Sequence, residues 1–121
     1  MRILNFGSCN IDTVYTVKRI VRPGETLSID SFKQFPGGKG LNQSIALARA
    51  GIPVHHAGCI GKEDSKLITL MSRAGIDVTY VKRVDKETGR AFIQLDNNGQ
   101  NAILVYPGAN AEVTTEYIDD V

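Results

Sequence analysis

Apolar and polar positions along this chain follow two periods, one of two residues and one near four. Ile3 to Gly7 is a short apolar run closed by Gly7-Ser8, which predicts a buried strand. Asn10 and Asp12 fall just past its end. Val14-Tyr15-Thr16-Val17 is β-branched and aromatic and predicts another strand. Arg22-Pro23-Gly24-Glu25 is a turn signal. Thr26 to Phe35 then alternates, with Leu27, Ile29 and Phe35 on one side, as in a half-exposed antiparallel strand. Pro36-Gly37-Gly38-Lys39-Gly40 breaks that pattern. From Leu41 to Ala50 the period turns helical: Leu41, Ile45 and Ala48 form a stripe, with Ala46 and Ala50 close by. Gly51 and Pro53 stop the helix.

Val54 to Ile60 predicts a further strand, ended by Gly61. Lys66 to Ala74 reads as a second amphipathic helix with Leu67, Leu70 and Met71 inward, and Val78 to Val84 as extended chain. Thr88 to Leu95 and Gln100 to Tyr106 predict a hairpin joined by Asp96-Asn97-Asn98-Gly99. Thr114 or Thr115 caps a last helix, with Glu116 in its first turn. This alternation of strands and helices predicts an α/β sheet in a single domain. A sheet begun in this way calls for further strands and covering helices, so the chain is expected to be the opening portion of a larger domain with an incomplete sheet.

Composition narrows the function classes. Apolar residues make up 42% and charged residues 22%, ordinary for a globular protein. Fourteen basic and thirteen acidic residues give a net charge of +1, which excludes a strongly basic nucleic-acid binder. No apolar run approaches the ~20 residues that span a membrane, and the run at the N-terminus is too short for a signal peptide. The two cysteines, Cys9 and Cys59, form no Cys-x-x-Cys pair, so zinc and redox motifs are absent. Both read as reduced thiols packed as small hydrophobes, and a cytoplasmic location follows as the expectation.

Candidate chemistry concentrates in Gly37-Gly38-Lys39-Gly40-Leu41-Asn42-Gln43. Glycines before a helix allow close backbone approach, and a helix N-terminus offers unpaired N–H groups with partial positive charge. Lys39 adds charge, and Asn42 adds a donor and an acceptor. The loop suits a polyhydroxylated or anionic small molecule. It is not a Walker A loop, because Lys33 and Gly40 occupy the positions of the first Gly and the Ser/Thr. Nor is it a dinucleotide fingerprint, because Gln43 stands at the last glycine position. Asn10-x-Asp12 fits an Asx turn leaving the first strand, or a pair that holds sugar hydroxyls beyond a strand's carboxyl end.

Together these segments resemble the ribokinase, or PfkB-type, carbohydrate kinase family. Gly37-Gly38, Asn42, Ser44, Gly51 and Gly61 stand in register with that family's first signature. Gly7-Ser8-Cys9-Asn10-Ile11-Asp12 is similar to the ribokinase opening Gly-Ser-x-Asn-x-Asp, and Gly38-Lys39-Gly40-x-Asn42-Gln43 to its loop. Thr88-Gly89 and Gly108-Ala109-Asn110-Ala111 resemble further ribokinase segments, so the likeness covers essentially the whole chain.

The resemblance implies a three-layer ribokinase-like fold, of which residues 1–121 are the N-terminal portion, with β-strand lid segments near 14–35 and 88–106. It implies that Asn10 and Asp12 hold ribose hydroxyls, that Gly38, Lys39 and Asn42 line the same sugar, and that Ala91 and Ile93 face it from the lid. It implies ATP, Mg2+ and a monovalent cation such as K+ as the complete enzyme's cofactors, transfer to the primary hydroxyl of ribose, and a homodimer through the lid strands. Neither membrane nor nucleic acid is implied as a partner. Two departures stand out. Gly61 to Gly75 is slightly shorter than usual and lacks an internal glycine. The family's general base, the Asp of a Gly-Ala-Gly-Asp segment, and its nucleotide and cation sites are absent from these residues. The chain alone is therefore expected to bind no metal and to catalyse nothing.

Smaller signals carry less. His55 and His56 are adjacent on a strand, point to opposite faces and cannot share a metal. Glu63-Asp64 reads as charge complementing a helix dipole. Two other readings compete with the ribokinase-like one. The first is a non-catalytic sugar-binding or dimerisation module. The second is a sugar-phosphate kinase of the 1-phosphofructokinase type, whose Gly-Gly-Lys-Gly loop would hold a phosphate.

Overall fold

A computed structural model describes all 121 residues. In chain order the elements are β1 (Ile3–Phe6), β2 (Asn10–Thr16), β3 (Phe32–Gly37), α1 (Lys39–Arg49), β4 (Val54–Gly61), α2 (Ser65–Arg73), β5 (Ile76–Asp77), β6 (Val81–Val84), β7 (Gly89–Leu95), β8 (Asn101–Tyr106), a 3-10 turn (Gly108–Glu112) and α3 (Thr115–Asp120). They form two sheets. In the first, β4 lies parallel to β1 on one side and to β5 and β6 on the other. In the second, the order is β3-β2-β7-β8.

The first sheet explains the core. β4, Val-His-His-Ala-Gly-Cys-Ile-Gly, is small and apolar apart from its two histidines and is almost entirely buried, as a central parallel strand must be. Successive side chains leave its opposite faces. Val54 and Ile60 join Leu41 of α1 with Leu67 and Met71 of α2 in one cluster. Ala57 and Cys59 pack on the other face against Ala109 and Tyr117. Helices thus cover β4 on both faces, giving the three layers expected. Fully burying a side chain such as Leu41 or Ile60 contributes about 1.5–3 kcal/mol. Tyr117 fastens the outer layer, donating its hydroxyl to Tyr80 O at 2.6 Å.

Several sequence expectations need correction. Residues 26–31 are not a strand. The β2–β3 pairing runs out at Tyr15↔Phe32, so nothing remains for them to pair with, and Leu27 and Ile29 instead line a hollow with Tyr15, Val17 and Val21. The extended chain at 78–84 is interrupted, because Asp77 Oδ1 accepts the Thr79 N–H at 2.9 Å and turns the backbone between β5 and β6. Leu70 is 37% exposed rather than inward, because Leu67 and Met71, one turn apart, already fill the face of this short helix. Ala46 and Ala50 are likewise exposed, while Ser44 is buried. Asp64 occupies the N-cap position of α2 without capping it; its carboxylate takes the Thr88 hydroxyl. Thr114 does cap α3, accepting the Tyr117 N–H at 3.2 Å. Cys9 and Cys59 are free and buried. No helix is long and apolar enough to cross a membrane.

Candidate functional site

Asn10 and Asp12 do not leave β1 in a turn. They open β2, which is antiparallel to β3 and parallel to β7, so both side chains project from one face of the second sheet. The reason lies in their neighbours. Asn10 is flanked by two glycines, Gly37 on β3 and Gly89 on β7, which leave room for polar side chains over the sheet. A side chain at Gly37 would run into the Asp12 carboxylate, and one at Gly89 into Asn10 and Asn110. Asp12 pairs with Ala91, and Val14 with Ile93, so both expected lid residues share the face of Asn10 and Asp12. Ala91 is buried and Ile93 half-buried.

The glycine loop arrives at the same place. β3 runs through Gly37, Gly38 turns the chain at φ +96°, and α1 begins at Lys39 with no intervening loop. Gly38 could not carry a side chain, because its Cβ would lie 2.8 Å from Ser8 O. Gly40 crosses Gly7 so closely that neither tolerates a Cβ. One backbone and one side-chain bond lock this crossing: Leu41 N–H donates to Ser8 O at 2.9 Å, and Asn5 Nδ2 donates to Gly40 O at 2.9 Å. Lys39 and Asn42 are exposed in the first turn of α1, where the first helical N–H groups have no helical acceptor. The structure therefore gathers Asn10, Asp12, Gly38, Lys39, Asn42 and Ala91 around the junction of β2, β3 and α1.

The electrostatics are uneven. Asp12 Oδ1 is buried with no hydrogen-bond partner, and burial pushes its carboxyl above the usual carboxylate range. Asn10 is already engaged, its Oδ1 accepting Asn110 Nδ2 at 2.7 Å. No group of three or more His, Cys, Asp or Glu side chains is placed to hold a metal ion. A charged cleft of about 230 Å3 lined by Gly61, Lys62, Glu63, Asp64, Lys86 and Arg90 lies elsewhere and includes none of the site residues.

Beneath the loop runs a buried polar relay that the sequence pattern missed. Asn5 Nδ2 donates to Ser44 Oγ at 2.9 Å. The Ser44 hydroxyl therefore donates onward to His56 Nδ1 at 2.7 Å. His56 Nε2 then carries the proton and donates to Gly7 O at 3.0 Å, with Cys9 Sγ 3.2 Å away. Burial holds the imidazole neutral, below its ordinary pKa, and pushes the Cys9 thiol up to about 12. His55 faces the other layer, its Nδ1 3.4 Å from Asp77 Oδ2. The helical position of Ser44 opposite a strand histidine was the only sequence signal for the relay. Asn110 is the other missed residue; its Gly-Ala-Asn-Ala segment was noted without a role.

An α/β sheet covered on both faces, with a side sheet carrying Asn and Asp beside a glycine loop, agrees with the fold that the ribokinase-type resemblance implies. The profile of the pfkB family carbohydrate kinases matches residues 2–121, and the chain belongs to that family. Several of the curated relatives it is similar to are ribokinases. That of Staphylococcus aureus is 40% identical over 119 residues, covering 95% of this chain and 39% of its own length. The solved ribokinase of Thermotoga maritima is 43% identical at a TM-score of 0.90, over 97% of this chain and 40% of that one. The ribokinase of Arabidopsis thaliana, solved with ribose and ATP, is 32% identical at a TM-score of 0.78, over 90% of this chain and 36% of that one. The chain spans between 23% and 39% of the length of the first curated relatives it matches.

Proposed function

We propose that this chain is the sugar-binding N-terminal portion of a single ribokinase-like domain, in an enzyme that phosphorylates D-ribose at its primary hydroxyl. The observation that carries this reading is the unpartnered Asp12 Oδ1, buried beside Asn10 and the Gly38–Asn42 turn. A carboxylate there accepts two hydroxyls, Asn10 and Asn42 add amide groups, and Gly38 lets the backbone approach. Lys39 and the α1 N-terminus supply positive charge at the rim. Ala91 and Ile93 place an apolar wall over the sugar. The second sheet then acts as a lid that excludes water during transfer.

ATP as phosphoryl donor follows from the ribokinase relatives, one of them solved with ribose and ATP. Mg2+ and a monovalent cation such as K+ are assigned to the complete enzyme, as the family resemblance implies. The general base likewise belongs to a Gly-Ala-Gly-Asp segment that this sequence does not contain, so the chain's own share of the reaction is binding and orientation. Exposed Phe32, Ile103, Leu104 and Val105 on the second sheet support a homodimer through the lid strands. The ribokinase relatives weigh against the 1-phosphofructokinase alternative. A non-catalytic sugar-binding module shares the same site and differs only in turnover. ADP release by the complete enzyme that carries this portion, measured with D-ribose and with fructose 1-phosphate, separates the readings. Turnover on ribose alone is expected; turnover on fructose 1-phosphate alone, or on neither, overturns the proposal.

A further inference from the structure

The amide of Asn110 bridges two parts of the site. Its Oδ1 accepts the backbone N–H of Cys9 at 3.0 Å, and its Nδ2 donates to Asn10 Oδ1 at 2.7 Å. The first of these bonds settles the orientation of both asparagines. A backbone N–H can only donate, so the Asn110 atom facing it is the oxygen. Asn110 must then turn its NH2 towards Asn10, and Asn10 must answer with its own oxygen. The remaining group of Asn10, its Nδ2, makes no hydrogen bond within the chain. Beside it, Asp12 Oδ1 is a buried acceptor with no partner. The two side chains project from the same face of β2, one able only to donate and the other only to accept.

We propose that Asn110 is a positioning residue that fixes the polarity of the sugar site, holding Asn10 as a pure donor next to the pure acceptor Asp12. This rests on the sugar-site reading above. A donor and an acceptor two residues apart on one strand face match adjacent hydroxyls of a furanose, each of which can both accept and donate. Gly89 belongs to the same device, since a side chain there would run into both asparagines. So does the 3-10 turn, which holds Asn110 in place through its N–H to Pro107 O at 3.1 Å. The link spans a hundred residues of sequence and ties the 3-10 turn after β8 to the start of β2.

The substitution Asn110→Asp separates this role from a merely structural one. The carboxylate still accepts the Cys9 N–H, so the structural bond survives. It can no longer donate to Asn10, whose amide turns and offers its oxygen to the sugar. Ribose affinity by calorimetry should fall about tenfold, the loss of one hydrogen bond with a new acceptor clash. Cys9 amide exchange should stay as slow as in the wild type. In an Asn10→Ala background, Asn110→Asp should cost nothing further, because the two act as a unit. Unchanged ribose affinity in Asn110→Asp, or an equal loss in the Asn10→Ala background, overturns the proposal. If the wild type shows no saturable ribose heat, the sugar reading falls by itself. The polarity is then decided by side-chain amide exchange in the wild type. One slow Asn110 Nδ2 proton with two fast Asn10 Nδ2 protons supports it, and the converse overturns it.

Discussion

Asp12 gives the sharpest quantitative expectation, because the site asks it to be unfavourable in the empty protein. Its Oδ1 is buried without a partner and its carboxyl is shifted up by burial. An unsatisfied buried acceptor costs about 1–3 kcal/mol, more when charged. Asp12→Asn keeps the shape and removes the charge. The amide still leaves a polar atom against the same wall, so the gain lies near the bottom of that range, about 1 kcal/mol. For a chain of this size that raises the melting temperature by about 4 °C at neutral pH. The pH dependence has a definite sign. A folded pKa above the ordinary 3.8 means the native state binds the extra proton in between, so wild-type stability falls as pH rises through that interval. The advantage of Asp12→Asn should therefore vanish at pH 3 and be complete at neutral pH. The same change removes one charge-assisted hydrogen bond of about 1.5–3 kcal/mol to the sugar, weakening ribose roughly 10- to 150-fold. Thermal scans from pH 3 to 8 and ribose titrations test both halves. A variant that is less stable at neutral pH, with ribose affinity intact, refutes the reasoning.

Three further outcomes follow from the packing. His56 is buried and neutral with its pKa held below 6.5, so the unfolded chain takes up a proton first; stability should drop as pH falls from 7 to 5, and less so in His56→Gln, in urea titrations at each pH. Cys9, with its thiol pushed up to about 12, should resist an aromatic disulfide reagent in the native protein and react only on unfolding. Thr88→Val removes the hydroxyl that accepts the Gly61 N–H at 2.9 Å and donates to Asp64, and should cost about 1–3 kcal/mol by denaturant unfolding with ribose affinity unchanged.

The elements with strong period were legible from the residues alone: β1, α1, β4, α2 and the β7–β8 hairpin all lie within a few residues of where the pattern put them. What the pattern could not carry was pairing. Asn10 and Asp12 are turn-formers by propensity, and only the strands on both sides, β3 and β7, draw them into a strand. Residues 26–31 have strand alternation but no strand to meet. The break between β5 and β6 depends on one Asp77 side chain bonding its own backbone, a local competition that periodicity does not see. The glycine loop was readable because its chemistry is sequential. The relay Asn5–Ser44–His56 and the Asn110 bridge join residues far apart in the chain, so no spacing rule finds them. Lid, sugar and signature came from family resemblance, and the fold agrees with the architecture it implied.

The central claim is that a sugar sits where β2, β3 and α1 meet. Titrating D-ribose into the 15N-labelled protein and following backbone amide shifts tests it most directly. The account predicts saturable shifts at Asn10 to Thr13, Gly38 to Asn42 and Ala91, lost in Asp12→Ala. Shifts that never saturate, that centre on the charged cleft between Gly61 and Arg90, or that survive Asp12→Ala would contradict it.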